Sequence, residues 1–228
     1  MDMIRKTMWV LYSILLMGSA NTFAADCTHK IGSVLSLTGA YGAHGVPISR
    51  AAQMGVEHVN EARKQLGIGC DLVYDVRDSN TQASVAVDAA RKLIDIEGVT
   101  ALVGPISSGI TAPLLSSVTV ETNVVVVATA STSSTFTNMG KRGETKGLFF
   151  RTLPADSLQA VAAAIMAYNA GFRRPSILYW NNDWGKNNKT EFVEAFKALG
   201  GEIAQTVSFN PDQASYRAEI TKSRSEEH

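Results

Sequence analysis

The feature that most constrains the fold is a regular alternation of short apolar runs with longer amphipathic segments after residue 30. Four apolar runs have the length of β-strands, at residues 31–37, 72–76, 99–103 and 124–128. The segments between them carry apolar side chains at spacings of three and four, one face of a helix, at residues 48–66, 80–94 and 110–120. The unbroken VVVVA of the fourth run is predicted to be buried on both faces of a sheet. This alternation predicts an α/β fold with parallel strands and helices on both sides.

A second series of the same kind follows a change in composition. Residues 129–147 are rich in Ser, Thr, Gly and Lys without an apolar period, and are therefore predicted to be a loop. The pattern restarts at residue 148, with helices predicted at 156–169 and 186–199 and strands at 176–180 and 202–209. We therefore predict an N-terminal lobe at residues 25–150 and a partial second lobe at 151–228. Two strands make a small sheet, so we expect the chain to be a truncated copy of something longer.

The N-terminus has the composition of an export signal. Arg5 and Lys6 precede a mostly apolar stretch at residues 8–17, and Ala24 ends a small-residue cleavage pattern. Ten apolar residues are too few to span a bilayer, which needs about 20. Residues 1–24 are therefore predicted to be a signal peptide, and the mature protein is expected in the periplasm.

The two cysteines agree with an oxidising compartment. Cys27 and Cys70 each precede an apolar run, and the starts of neighbouring parallel strands lie within disulfide reach. A Cys27–Cys70 disulfide is predicted, with two unpaired thiols as the alternative. The four histidines are scattered without ligand spacing, so no metal site is predicted.

The charge balance bears on possible partners. Lys plus Arg and Asp plus Glu both total 21, which gives a formal net charge of zero. Nucleic-acid binding requires a basic face, which this composition does not favour.

Three loops follow predicted strands, at the edge where doubly wound sheets bind their ligands. They span residues 37–45, 104–109 and 129–134 and offer hydroxyls and backbone N–H groups, with no carboxylate or lysine. Such groups suit a carboxylate or another anion. The alternative is structural, with a serine as a helix N-cap and the Ser/Thr run as a solvated loop.

Several stretches, in this order, carry a family resemblance: LSLTGAYGAHG, YDVRDSNTQASVAVDAARKLI, ALVGPISSGITAPL, VVVVATASTSST, FFRTLPADSLQ and ILYWNNDWGKN. Together they resemble type I periplasmic binding proteins, in particular the binding proteins for leucine, isoleucine and valine. The resemblance implies two doubly wound, Rossmann-like lobes joined by a hinge, the second lobe incomplete here. It also implies a ligand held between the lobes.

The resemblance assigns a ligand-carboxylate site to the first lobe. Ser108 is similar to the family serine whose hydroxyl meets the carboxylate, and Ala130 to a position that gives backbone contacts. Thr132 matches the threonine beside them. Because the chain has one extra residue here, Ser131 is an alternative to Thr132.

Aromatic and second-lobe positions are assigned in the same way. His44 falls where relatives often carry an aromatic residue, which leaves the ligand's identity open, and a surface position is its alternative. Trp184 matches an aromatic residue that covers the ligand on closure, with helix packing as its alternative. Tyr41 is placed at the cleft mouth, as a further ligand contact or as a loop residue only. Arg151 and Asp156 are expected to organise the crossover between the lobes without touching the ligand. The family's acidic partner for a ligand ammonium falls beyond residue 228.

The resemblance therefore predicts the solute-binding component of an ABC importer, not an enzyme. It implies an amino acid of the branched-chain type or a similar small carboxylate as ligand, the permease subunits as partners, no cofactor and a monomer. Short amides, urea or aromatic acids are alternative ligands, and a ligand-sensing receptor domain is an alternative role. With a partial second lobe, the chain is expected to bind weakly or not at all. A dinucleotide enzyme is disfavoured because the glycines are spaced G-x-x-G-x-x-G, and a serine hydrolase because GPISSG lacks the G-x-S-x-G elbow.

Overall fold

The computed structural model describes residues 27–211 and 213–224. The predicted signal peptide, residues 1–24, lies outside them. Within these residues no helix combines the length and the apolar character that a membrane crossing requires.

The first lobe is built on a parallel sheet of five strands. Strands and helices alternate in the order β1 (Thr28–Leu35), α1 (Gly42–Gln65), β2 (Asp71–Asp78), α2 (Ala83–Arg91), β3 (Ala101–Val103), α3 (Ser108–Leu114), β4 (Val125–Ala128), α4 (Ser134–Lys141) and β5 (Phe149–Arg151). Wider π turns extend α2 through Lys92–Ile96 and α3 through Leu115–Thr119, and a short helical turn follows at Val120–Thr122. The strand order is β2-β1-β3-β4-β5. Every neighbouring pair is parallel, as the alternating pattern predicts.

The second lobe contains α5 (Ser157–Asn169), β6 (Ser176–Trp180), α6 (Asp183–Ala198), β7 (Gln205–Phe209) and α7 (Arg217–Arg224). Strands β6 and β7 pair in parallel as a separate sheet. Helix α5 packs along α6. Its other face leaves apolar side chains exposed, among them Leu158 and Met166.

The main core lies under the first sheet. Val34, Leu102 and Val126 point down from three neighbouring strands and are fully buried. They pack with side chains of α2, α3 and α4, the largest of which is Phe136. In β4 the burial is uneven, because Val126 and Ala128 are buried while Val125 and Val127 are only half-buried. The prediction that this strand is buried on both faces therefore holds fully for one face and only in part for the other.

The segment at 129–147 differs from the prediction. It was expected to be a loop, but it contains helix α4. Phe136 and Met139 lie one turn apart on that helix and are both buried, and the Phe136 ring lies 4.7 Å from that of Phe149. Two apolar side chains at a spacing of three are enough to dock a helix of eight residues.

Helix α1 also begins earlier than its apolar period indicates, at Gly42 instead of residue 48. The glycine-rich stretch thus forms the first turn of the helix. Gly45 makes this possible, because a Cβ on it would lie 1.8 Å from the carbonyl oxygen of Ser36. Glycine lets the helix approach the end of β1 more closely than any other residue would.

Candidate functional site

A cleft runs between the two lobes at the carboxyl ends of their strands, where ligands of doubly wound sheets bind. It includes a cavity of about 410 Å³ lined from both lobes. The first lobe contributes the segments after β1, β2 and β3, and the second lobe contributes those after β6 and β7. Amide side chains are prominent in this lining: Asn80, Gln82, Asn181, Asn182 and Asn210. The predicted loops at 37–45 and 104–109 therefore both reach the cleft.

The loop after β1 is held by the carboxylate of Asp78. Its Oδ1 accepts hydrogen bonds from the backbone N–H groups of Leu37 at 2.9 Å, Thr38 at 3.2 Å and Asn80 at 2.8 Å. The Thr38 hydroxyl donates to the other oxygen. Burial by itself raises the pKa of Asp78, but the hydrogen bonds from Thr38, Asn80 and Leu37 together outweigh it and lower the pKa. Asp78 thus fixes the loop that positions Tyr41.

Tyr41 lies at the end of that loop and His44 in the first turn of α1, and Tyr41 faces a tryptophan of the other lobe. The Tyr41 ring stacks on Trp180 at a centroid distance of 5.0 Å and lies 6.4 Å from the His44 ring. Burial raises the pKa of Tyr41 to about 12. His44 itself is exposed. These three residues, which we call the aromatic cluster, connect the two lobes at one side of the cleft.

Hydroxyl groups connect the loops after β3 and β4. The buried Ser108 hydroxyl accepts a hydrogen bond from the backbone N–H of Ser133 at 3.2 Å. The Ser131 hydroxyl is fully buried, lies 2.6 Å from the Thr111 hydroxyl and donates to the carbonyl groups of Pro105 or Ile106 at 3.2 Å. Ser131 therefore faces the space between the two loops, whereas Thr132 is only half-buried. Ala130, on the same loop, is half-buried too.

Asp156 links this region to the second lobe. Its Oδ2 accepts hydrogen bonds from the Thr132 hydroxyl on the first lobe and from the Trp184 indole Nε1 on the second. Asn188 of α6 donates to the same oxygen at 3.4 Å. Asp156 as a whole is only 9% exposed, and it is not among the residues that line the 410 Å³ cavity. Thr132, Asp156 and Trp184 form what we call the polar cluster.

The guanidinium of Arg151 supports the same region from below. It donates to the Ser133 carbonyl oxygen at 2.9 Å and to the Thr137 hydroxyl at 2.7 Å. Desolvation lowers the pKa of Arg151, and the negative charge of Asp156 acts against that shift. Arg151 therefore holds the loop that carries Thr132.

The structure thus arranges the predicted residues in two groups. Thr132 and Trp184 are drawn together through Asp156, with Ser108 bonded to the neighbouring Ser133. Tyr41 lies between His44 and Trp180. Sequence reasoning did not assign Trp180 a role, since it reads simply as the last residue of a strand. Asp156 was placed at the crossover and not among the ligand contacts, because its position before a helix is that of an ordinary N-terminal residue.

Comparison with known proteins gives a consistent family. The sequence model described as "Periplasmic binding protein" matches residues 28–227. The chain is 33% identical over 208 residues to the Leu/Ile/Val-binding protein BraC3 of Rhizobium johnstonii, covering 89% of this chain and 52% of that protein.

Solved structures agree on the fold. The leucine binding protein LivK of Thermotoga maritima superposes with a TM-score of 0.70 at 24% identity, covering 88% of this chain and 54% of that one. A solute-binding protein of an R. palustris ABC transporter, in complex with 4-hydroxybenzoate, gives a TM-score of 0.69 at 21% identity, covering 86% and 50%. The chain therefore spans about half the length of the relatives it matches.

Proposed function

Because the chain belongs to the family of periplasmic binding proteins, we propose that it is the solute-binding component of an ABC importer. Its ligand is an amino acid of the branched-chain type or a similar small carboxylate, held between the two lobes. The protein is exported to the periplasm by its N-terminal signal. Closure of the lobes over the ligand creates the surface that docks on the permease subunits. The family is one of binding proteins, so no chemical step is part of the proposal.

The observation that carries the ligand class is the position of Asp156. Its carboxylate accepts hydrogen bonds from Thr132 on one lobe and Trp184 on the other, so a single negative charge connects the two lobes. A carboxylate that is nearly buried requires donors or a cation. The ammonium group of an amino acid supplies both, and it can replace one of the present donors on Oδ2. An amino acid therefore fits this site better than a ligand without a positive charge.

The other end of an amino acid is matched by donors. Because the Ser108 hydroxyl accepts from the Ser133 N–H, its own proton can be given to a ligand carboxylate. When the ammonium group takes over Asp156, the Thr132 hydroxyl is released and can turn to the same carboxylate. Each hydrogen bond to a charged group contributes about 1.5–3 kcal/mol. The ligand thus replaces hydrogen bonds that already join the two lobes with stronger hydrogen bonds to its own charged groups.

The aromatic cluster supports a second candidate, an aromatic acid. Tyr41 and Trp180 present stacked rings at the side of the cleft, and a flat ring inserted between or beside them would gain aromatic contacts of about 0.5–1.5 kcal/mol. This ligand class keeps the donor role of Ser108 but does not use the charge of Asp156. Short amides and urea are neutral, so they do not use the charge of Asp156 either.

Calorimetric titration of the chain with leucine, 4-hydroxybenzoate and acetamide separates these classes. We expect leucine to bind, and Asp156→Asn to weaken its binding on the order of 30-fold or more, because the ammonium group of the ligand loses its charged partner. Glu194→Gln, which removes a carboxylate from the exposed face of α6, is the matched control and should leave affinity unchanged. Leucine affinity that is insensitive to Asp156→Asn contradicts the ammonium site, and affinity insensitive to Ser108→Ala contradicts the carboxylate site.

Binding of 4-hydroxybenzoate or acetamide in place of leucine favours the alternative ligand class. The role as an importer component is tested separately from the ligand. A ligand-loaded chain should stimulate ATP hydrolysis by its reconstituted permease complex, and a chain that binds ligand without doing so supports a ligand-sensing receptor domain instead.

A further inference from the structure

The end of the first sheet opposite the cleft groups two cysteines with a histidine. Cys27 and Cys70 form a disulfide, as predicted, and His29 lies beside them. One ligand atom of each of the three side chains lies within 4.8 Å of the others. Cys27 and His29 are two residues apart at the start of β1, so their side chains point to the same side. The histidines that look scattered in the sequence thus include one that the fold brings to the cysteine pair.

The sheet holds these residues in place independently of the disulfide. Thr28 pairs with Asp71 and His29 with Leu72 in the β1–β2 ladder, directly beside the cysteines. Asn60 of α1 further anchors the start of β2, accepting from the Leu72 N–H at 2.8 Å and donating to the Leu72 carbonyl at 2.9 Å. Breaking the S–S bond therefore leaves the two sulfur atoms and the imidazole close to one another.

We propose that the reduced Cys27–Cys70 pair and His29 form a binding site for a thiophilic d¹⁰ cation, with Zn²⁺ as the ion that fits best. Two thiolates and one imidazole are ligands that Zn²⁺ binds at about 2.3 Å and 2.0–2.1 Å. Ligand atoms of one tetrahedral zinc are then separated by roughly 3.3–3.8 Å, which small side-chain rotations reach from the observed arrangement. A water molecule completes the fourth position.

In an oxidising compartment the pair is a disulfide, and the metal site forms where a dithiol reductant reaches it. A dithiol reductant transfers two electrons and two protons to the S–S bond and leaves as its own cyclic disulfide, which yields two cysteine thiols. Binding of Zn²⁺ then releases both thiol protons, since the thiolates are the ligands. Cys27 and His29 are exposed, so reductant and metal both have access. Either cross-link joins the starts of β1 and β2.

This site is remote from the cleft. Strand β1 has eight residues, which at about 3.3 Å each separate its two ends by roughly 25 Å. Metal binding at the start of the strand therefore uses none of the residues proposed to hold the solute. It can be measured without any ligand in the cleft.

Cobalt is the direct probe, because thiolate ligation gives a near-ultraviolet charge-transfer band and tetrahedral geometry gives strong visible bands. The chain is reduced with a dithiol under anaerobic conditions, freed of reductant and titrated with Co²⁺, then back-titrated with Zn²⁺. We expect one equivalent of Co²⁺ with the thiolate band, displaced by Zn²⁺, and no such band from the oxidised chain. His29→Asn should weaken binding at least about tenfold. His58→Asn, which removes an exposed histidine from α1, is the control and should bind as the wild type does.

Three results overturn the proposal. The first is a reduced wild-type chain without the thiolate band. The second is a His29→Asn variant with the affinity and spectrum of the wild type, which would mean that the cysteines bind without the histidine. The third is loss of the native far-ultraviolet circular dichroism spectrum on reduction, because the sheet would then not hold the site.

Discussion

Replacing Gly45 by alanine tests how the first lobe builds its side of the cleft. An alanine Cβ would lie 1.8 Å from the Ser36 carbonyl oxygen and 2.6 Å from its carbonyl carbon, where ordinary contacts begin at 3.4 Å. Ser36 has little freedom to move aside, because it is fully buried and its hydroxyl lies 3.0 Å from that of Ser79. The first turn of α1 must therefore move away from the end of β1.

The magnitude follows from two opposing effects. Overpacking against a fixed backbone costs about 3 kcal/mol, the upper part of the usual range. Alanine gains about 1 kcal/mol over glycine in helix propensity. The free energy of unfolding should fall by about 2 kcal/mol, which for a protein of this size lowers the Tm by about 4–8 °C.

Gly55→Ala is the matched control, since Gly55 lies on the same helix and its added Cβ would meet no atom within 4 Å. There the propensity gain is unopposed, and the Tm should rise by about 2–4 °C. Thermal unfolding followed by far-ultraviolet circular dichroism compares the two variants with the wild type. A Gly45→Ala variant as stable as the wild type, or as Gly55→Ala, would refute the reasoning from the Ser36 contact.

Three further predictions concern other parts of the chain. Because Cys27 and Cys70 close a loop with a sequence separation of 43, replacing both by serine should lower the free energy of unfolding by about 4 kcal/mol in the chain-entropy model; an unchanged urea midpoint contradicts this. Burial raises the pKa of Asp78, but its hydrogen bonds lower the pKa by more, so the folded pKa lies below the unfolded value of about 3.9. The stabilisation by Asp78 is therefore present above the unfolded pKa and is lost as the pH falls through the folded pKa. Asp78→Asn should thus be less stable than the wild type at pH 7, and urea unfolding at a series of lower pH values should show the difference shrinking; a constant difference counts against it. Because burial raises the pKa of Tyr41 to about 12, Trp180→Ala should bring it back toward 10, and tyrosinate absorbance during alkaline titration, with Tyr41→Phe as reference, reports the change; an unshifted titration means that Trp180 does not provide the burial.

The parallel sheets were predictable because strands buried in α/β folds have sequences that are unbroken apolar runs. Strand β6 occupies Ser176–Trp180, the residues predicted, and the first sheet is parallel throughout. The disulfide followed from the same logic, since the starts of adjacent parallel strands are neighbours. Burial of this kind leaves a direct trace in the order of residue types.

Helix α4 was missed because packing, and not periodicity, makes it a helix. Its sequence STFTNMGK has only two large apolar residues, and its polar composition is that of a loop. The docking of Phe136 against Phe149 is a contact between distant parts of the chain, which no local pattern reveals. The N-cap contact that starts it, from the Thr135 N–H to the Ser133 hydroxyl at 3.2 Å, is one of many possible in a Ser/Thr-rich run.

The meeting of the candidate loops at one edge of the sheet was predictable, but the contacts of their side chains were not. Topology requires that the loops after β1, β3 and β4 share one edge, so Tyr41, Ser108 and Thr132 were expected there. Tertiary hydrogen bonds decide which side chains turn inward. The Ser131 hydroxyl is bonded to Thr111 between two loops, and Asp156 accepts a hydrogen bond from Trp184. Such orientations depend on contacts made only after both lobes are assembled.

In both lobes a glycine lets a helix pack closely against the end of a strand. Gly185 in the first turn of α6 lies against the end of β6, as Gly45 lies against the end of β1. A Cβ on Gly185 would lie 2.1 Å from the Trp180 carbonyl oxygen. In each lobe the helix is thus pressed against the end of the strand that borders the cleft, and the cleft walls are backbone contacts with little freedom to change. What can change is the set of side-chain contacts between the walls, the Tyr41–Trp180 stack and the hydrogen bonds that meet at Asp156. A ligand that competes for those contacts can alter the relation of the lobes without disturbing either one, which is the physical requirement for capture by closure.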